Sequence, residues 1–171
     1  MEADVKAEKK KTVFIIFRIL LILWMIVIFL FSAADGNESS ETSGWVGRMI
    51  GSFLHSDFEE WTEEEQKAYA QKIEYPIRKA AHATEYAVLA LLFFGAIDLK
   101  GRKRYLCAWA GAALYACTDE LHQLFVPGRA GSVIDVCIDS SGALVGLLIL
   151  WGILSLRRWL RAKSSEAPVS S

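Results

Sequence analysis

Hydrophobic residues in this chain fall into four long blocks separated by polar stretches. Residues 13–31 form an apolar run of 19 residues with one charge, Arg18. At ~1.5 Å per residue, a helix of that length nearly spans a ~30 Å hydrocarbon core. A second block, 77–97, is polar in its first half, and a third, 105–126, is polar in its second half. The fourth, 132–156, carries Asp135 and Asp139 early and turns apolar after Gly142. Residues 144–154 are apolar all the way round a helix, which argues against a soluble bundle, whose helices show water a polar face. The pattern predicts an all-α integral membrane bundle of four transmembrane helices. A signal peptide is the alternative for 13–31, but its apolar core is longer than the usual ~7–15 residues.

Between the first two blocks, 32–76 is too patterned for a slack loop. Trp45, Met49, Ile50, Phe53 and Leu54 recur at helical spacing. Thr62 and Glu65 have capping-box spacing before a helix carrying Tyr69 and Ile73. Short extracytoplasmic amphipathic helices lying on the membrane satisfy this pattern, and so does a small cap packed on the bundle. Pro76 suits the first turn of the second span, where its missing N–H costs nothing. Residues 164–171 read as disordered.

Charge orients the bundle. Lys6, Lys9, Lys10 and Lys11 precede the first span. Lys100, Arg102, Lys103 and Arg104 separate the second and third, and Arg157, Arg158, Arg161 and Lys163 follow the fourth. The outer segment 32–76 holds only Arg48, Lys67 and Lys72 against ten acidic residues. Every connection therefore agrees with both termini lying in the cytoplasm. This divides the chain into a cytoplasmic tail (1–12), a membrane domain (13–156) and a basic cytoplasmic tail (157–171). The formal net charge of −1 hides this asymmetry. Membrane lipids are the expected partners, and nucleic acid is not. Cys107, Cys117 and Cys137 all fall in spans and read as small buried apolar residues.

Against this apolar background, Asp119-Glu120-Leu121-His122-Gln123 stands out. An ionised group at a membrane midplane costs roughly 2.5–3.5 kcal/mol on insertion scales, so such a cluster needs compensation. Measured from the outer end of each span, Glu85, Asp119 and Asp139 lie at depths of about 13, 12 and 10 Å. His82 and His122 form a shallower tier at about 9 and 8 Å. Arg78, His82 and Glu85 share one face of the second span. Ala108, Ala112, Tyr115, Asp119 and His122 share a stripe on the third, and Asp135, Asp139, Gly142 and Gly146 one on the fourth. Gly142 and Gly146 form a GxxxG pattern that lets helices approach closely. The carboxylates are thus expected on the packing faces. Arg18 is expected to snorkel to the cytoplasmic side.

His82-x-x-Glu85 and Asp119-x-x-His122 are (i, i+3) pairs of the kind that build metal sites in helical bundles. His82, Glu85, Asp119, His122, Asp135 and Asp139 are the candidate ligands for a divalent metal such as zinc, manganese or iron. Glu85, Asp119, His122 and Asp139 are the candidate acid–base groups. The bland alternative is that each histidine hydrogen-bonds a neighbouring carboxylate and fixes the bundle. Arg78, Lys79 and Arg129 lie at the outer mouth with Gln123 nearby. They either pair with the buried acids or bind an anion such as a lipid phosphate. Ser32, Ser39, Ser40 and Ser43 line the same mouth or cap a helix. There is no phosphate-binding glycine loop and no nucleophile elbow.

These residues resemble the VanZ-like family of small bacterial membrane proteins. The matching pattern is Phe31-Ser32, then Ser39/Ser40 and Ser43. Arg78-Lys79-x-x-His82-x-x-Glu85-Tyr86 follows. Next come Tyr115-x-x-x-Asp119-Glu120-x-His122-Gln123-x-Phe125-x-Pro127-Gly128-Arg129 and Val133-x-Asp135-x-x-x-Asp139-x-x-Gly142-x-x-x-Gly146. One departure is Ala34, where relatives often carry glutamine. The resemblance implies a multi-pass protein of the bacterial cell membrane. The family takes its name from a member associated with low-level resistance to teicoplanin, which acts at the outer membrane face on cell-wall precursors. Three functions are compatible with an outward-opening site. One is an enzyme acting on a lipid-linked or phosphorylated envelope component. The second is a non-catalytic tolerance factor that binds lipid or antibiotic. The third is a small proton-coupled carrier, against which the apolar inner halves of the spans weigh.

Overall fold

A computed structural model describes residues 1–34 and 36–165, without the side chains of residues 3, 36–39 and 165. Among the described residues the chain is all-helical. Five helices follow in order: α1 (Glu2–Ala33), α2 (Gly36–Leu54), α3 (Glu63–Ala96), α4 (Arg102–Gln123) and α5 (Val133–Ser165). A single 3₁₀ turn, Phe58–Glu60, joins α2 to α3. Most of the tail expected to be disordered lies outside the described residues; Ser164 and Ser165 still belong to α5. Two helices, α1 and α5, are long and apolar enough to cross a membrane. The other two long helices are more polar: α3 opens with Glu63, Glu64 and Glu65 and α4 with Arg102, Lys103 and Arg104, and both carry polar residues of the site.

Small residues set the packing. On α4, Ala108, Ala112 and Ala116 recur every four residues and are fully buried. Their spacing makes one flat stripe, against which α3 and α5 approach closely. At the α3–α5 seam, Cβ atoms added to Gly142 and Gly146 would run into the backbones of Ala83 and Ala87. Tyr86, Leu89, Ala90, Ala143 and Leu147 complete the core, and Ile28 brings α1 into it. Aromatic donors reach across to backbone carbonyls of neighbouring helices. Trp24 Nε1 donates to Glu85 O at 3.0 Å, Tyr115 OH to Met25 O at 2.7 Å, and Trp109 Nε1 to Ser140 O at 3.0 Å. Outward, α1 and α5 show bare leucine, isoleucine and phenylalanine, including Ile22, Leu30, Leu148 and Ile149.

The structure corrects two expectations. Pro76 does not lie in a first turn: it sits inside α3, a single helix of 34 residues. The helix begins at the Thr62 capping box and runs on through the proline. A membrane helix tolerates such a break when neighbours support it, and here α2 packs against the projecting first part of α3. The Gly47 Cβ position lies 3.0 Å from the Ala70 Cα. α2 therefore packs on the start of α3 with one face, while Trp45, Met49, Phe53 and Leu54 stay exposed on its other face. The three cysteines are exposed rather than buried, because alanine and glycine already occupy the small-residue seams. Arg18 reaches toward the 97–101 connection, where its Nε donates to Ala96 O at 3.4 Å, satisfying a carbonyl that α3 leaves open at its C-terminus.

The capping box makes a first prediction. Glu65 accepts from the Thr62 backbone N–H at 2.9 Å and from its hydroxyl at 2.8 Å, and the Glu65 N–H donates back to Thr62 Oγ1 at 3.3 Å. The Thr62 backbone hydrogen bond, then the hydroxyl bond, hold the Glu65 carboxyl below its usual range. A carboxylate held down in the folded state contributes fully at neutral pH and loses that contribution as the pH falls through its lowered value. Amide exchange over Glu63–Gln66, corrected for intrinsic rate, is therefore expected to rise on acidification, and Thr62→Ala to raise it already at neutral pH. Exchange unaltered by both changes would remove the box as the start of α3.

Candidate functional site

Three helices bring the polar residues together. His82 and Tyr86 lie one turn apart on α3, Asp119 comes from the last turn and a half of α4, and Asp139 from the second turn of α5. Asp139 has no exposed surface and Asp119 has 4%. His82 Nδ1 stands 3.9 Å from Asp139 Oδ1. One donor atom from each of His82, Asp119 and Asp139 lies within 4.8 Å of the others. Tyr86 donates its hydroxyl to Asp119 Oδ2 at 3.2 Å, leaving Oδ1 to face the cluster.

That cluster is underbonded. His82 Nδ1, Asp119 Oδ1 and both Asp139 oxygens are buried without a hydrogen-bond partner. Buried carboxylates in that condition are costly and call for a cation or a proton. One imidazole and two carboxylates form a donor set suited to zinc, manganese or iron. Two ligands at ~2.1 Å from one metal are at most ~4.2 Å apart, so the set closes slightly on binding. Such a site leaves coordination positions open for water or a phosphoryl oxygen.

The remaining expected ligands are placed elsewhere. Asp135 is paired with Lys79, Nζ to Oδ1 at 2.5 Å, outside the group that His82, Asp119 and Asp139 form. His122 turns away from Asp119 and stacks on Phe29 of α1, with ring centroids 4.6 Å apart. Glu85 leaves the cluster and lines a cavity of about 540 Å³ with Arg78, His82, Arg129, Ser43 and Glu41. Only His82 faces both the cavity and the cluster. Gln123 is buried away from the cavity with its Nε2 unpartnered.

Arg129 has a structural duty. Its Nε donates to Ala34 O at 2.8 Å and an Nη to Phe31 O at 2.9 Å, closing the C-terminal end of α1. The turn that carries it is pinned by Glu120, whose Oε2 accepts the Ser132 N–H at 2.8 Å. Burial, with the nearby Arg78 guanidinium, lowers the Arg129 pKa from its ordinary value. The cavity thus sets two guanidiniums, Arg78 and Arg129, beside two carboxylates, Glu41 and Glu85. Among the described residues, Arg78 keeps a long contact to Glu74, at 3.8 Å.

Several contributors carried little sequence signal. Tyr86 and Glu120 sit within the polar motifs but suggested no role of their own. Phe29 and Trp24 sit in what reads as a plain apolar anchor. Ser32 is buried in the last turn of α1 with its hydroxyl unpartnered, and the side chain of Ser39 lies outside the described residues.

The fold and the site together define an all-helical protein, rich in exposed apolar surface, with a buried histidine–carboxylate cluster opening on a cavity lined by guanidiniums. The family model for VanZ/LLP1 matches residues 17–156, which takes in all of these side chains. The chain belongs to the VanZ/LLP1 family. Neither a curated protein nor a solved structure matches it.

Proposed function

We propose that the chain crosses the bacterial cell membrane four times, through α1, the later part of α3, α4 and α5, with both termini in the cytoplasm. The asymmetry of lysine and arginine supports this orientation. It places α2 and the projecting start of α3 outside, above the cavity. In this reading His82, Asp119 and Asp139 hold a divalent cation. The cavity beside them takes the phosphorylated head group of a lipid-linked envelope component, with Arg78 and Arg129 facing its phosphate. Bound there, the metal supplies Lewis-acid polarisation of a phosphoryl oxygen or an activated water. The chain's own part is to fix Asp119 through Tyr86, to hold the anion, and to keep Glu85 within the cavity as a proton acceptor.

One observation carries the proposal. Three helices converge unpartnered buried donors on one point, next to a cavity with two guanidiniums. Elemental analysis of purified protein is expected to give about one equivalent of zinc, manganese or iron, as expected for a three-donor site with an open position. Phosphate release from a polyprenyl diphosphate in vesicles is expected to fall about a hundredfold or more in Asp119→Asn, with helix content unchanged. Protein with neither metal nor phosphate release would refute the enzymatic reading.

A second reading draws on the placement of His122. With that ring stacked on Phe29, the cluster holds a single imidazole. This favours a non-catalytic envelope factor that binds an anionic lipid or a glycopeptide and releases it unchanged. Binding of either without turnover would select it.

A further inference from the structure

The opposite end of the helices carries a second, differently built site. A cavity of about 610 Å³ lies where the α3–α4 connection meets the last turns of α5. All of its charged lining is cationic: Lys100, Arg102, Arg104, Arg157, Arg158 and Arg161. Two of these are bound to the chain. Arg104 donates from Nε to Phe94 O at 2.7 Å and lies 4.2 Å from the centre of that ring. Arg158 donates to Leu154 O at 3.3 Å and to Ser155 Oγ at 3.1 Å. Among the described residues, Lys100, Arg102, Arg157 and Arg161 make no hydrogen bond or ion pair. The nearest carboxylate in sequence, Asp98, is already held by Lys10 at 2.9 Å.

A second feature says what this charge is for. An apolar groove of about 590 Å³ runs along α4 and α5 and shares Arg102, Tyr105 and Trp151 with the cationic cavity. From there it continues past Leu106, Leu144 and Leu148. Leu106, Leu148 and Trp151 are each more than half exposed. The two cavities together form one amphipathic track, cationic at one end and apolar along its length. A soluble phosphate would match only the first part. A phospholipid matches both, and an aromatic pair at the junction suits the interfacial region of a bilayer.

We propose that the cytoplasmic ends of α4 and α5 hold one anionic phospholipid. Its phosphate sits among Lys100, Arg102, Arg157 and Arg161, and an acyl chain lies along Leu106, Leu144 and Leu148. The site requires that the helices stand in a bilayer; it does not require metal or chemistry at His82, Asp119 and Asp139.

Full-length protein in detergent micelles, titrated with phosphatidylglycerol or phosphatidylcholine and read by native mass spectrometry, tests this. Phosphatidylglycerol is expected to be retained about tenfold more strongly, and R102Q/R161Q to lose about fivefold for each cation removed. R102K/R161K is expected to keep most of the binding. Leu148→Trp, which fills the groove and leaves every cation in place, is expected to weaken phosphatidylglycerol as well. Wild-type protein supplies a reading independent of any variant: brominated phosphatidylglycerol should quench its tryptophan fluorescence more than brominated phosphatidylcholine at equal mole fraction. Equal retention or equal quenching of the two lipids would overturn the proposal. So would R102Q/R161Q binding as wild type. Displacement of the lipid by inorganic phosphate, with Leu148→Trp having no effect, would show a soluble-anion site and overturn it equally.

Discussion

Asp139→Asn is expected to melt above the wild type when divalent metal has been stripped, and below it when metal is supplied. Both Asp139 oxygens are buried without a partner, and the side chain has no exposed surface. A buried charge in that condition destabilises the fold that holds it. An amide of the same shape removes the charge and should recover about 1–3 kcal/mol. Metal reverses the order, because it binds the folded wild type and not the variant. A cation at a hundred times its Kd adds about 2.7 kcal/mol to the wild type alone. Asp119→Asn should show the same inversion with a smaller gain in the stripped state, since Tyr86 already partners one of its oxygens. Thermal unfolding in micelles, with chelator and then with zinc or manganese, measures each protein in both states. If the wild type ignores metal and Asp139→Asn is less stable in both conditions, the carboxylate is a structural hydrogen-bonding group. The metal site would then be abandoned.

The inversion tests the part of the site that sequence alone left open. Helical rise placed Glu85, Asp119 and Asp139 in one tier and the two histidines in another. Rise supplies only depth, and His82 and Asp139 differ in depth by about 1 Å on that arithmetic. The direction of each side chain depends on rotation about its helix. Residues three apart are turned by about 300°, so an (i, i+3) pair is split between two faces whenever a neighbouring helix lies between them. His82 reaches both the cluster and the cavity while Glu85 reaches only the cavity, and Asp119 faces the cluster while His122 meets Phe29. No pattern within α4 shows where Phe29 of α1 stands, and that ring takes up His122. Lys79 pairs with an acid of the neighbouring helix, Asp135. By contrast, the helical class, the capping box and the glycine seam of α5 were all legible, because each rests on local spacing. Pro76 misled for a related reason. Its local preference is for a first turn, but the packing of α2 on α3 carries the helix through it.

Gly142→Ala is expected to be strongly damaging for a single added methyl group. Added at that position, a Cβ would collide with the carbonyl and Cα of Ala83, and a backbone cannot rotate aside as a side chain can. The helices must separate, with a cost at or above the ~1–3 kcal/mol usual for overpacking. Gly146→Ala meets Ala87 at 3.0 Å and should cost less, since a few tenths of an ångström relieve it. Gly152, on the same helix, has nothing within 4 Å of its Cβ position. There alanine should be neutral or stabilising by roughly 0.5–1 kcal/mol, the ordinary helix preference over glycine. The three variants add the same atom to one helix, so propensity predicts equal effects and the α3–α5 seam predicts a graded series with a change of sign. Equal melting temperatures for the three would mean that the seam is not closed as described. Separation at Gly142 also draws Asp139, three residues away, from His82. Metal affinity should therefore fall in Gly142→Ala and stay at the wild-type level in Gly152→Ala, which ties the packing of the seam to the geometry of the site it supports.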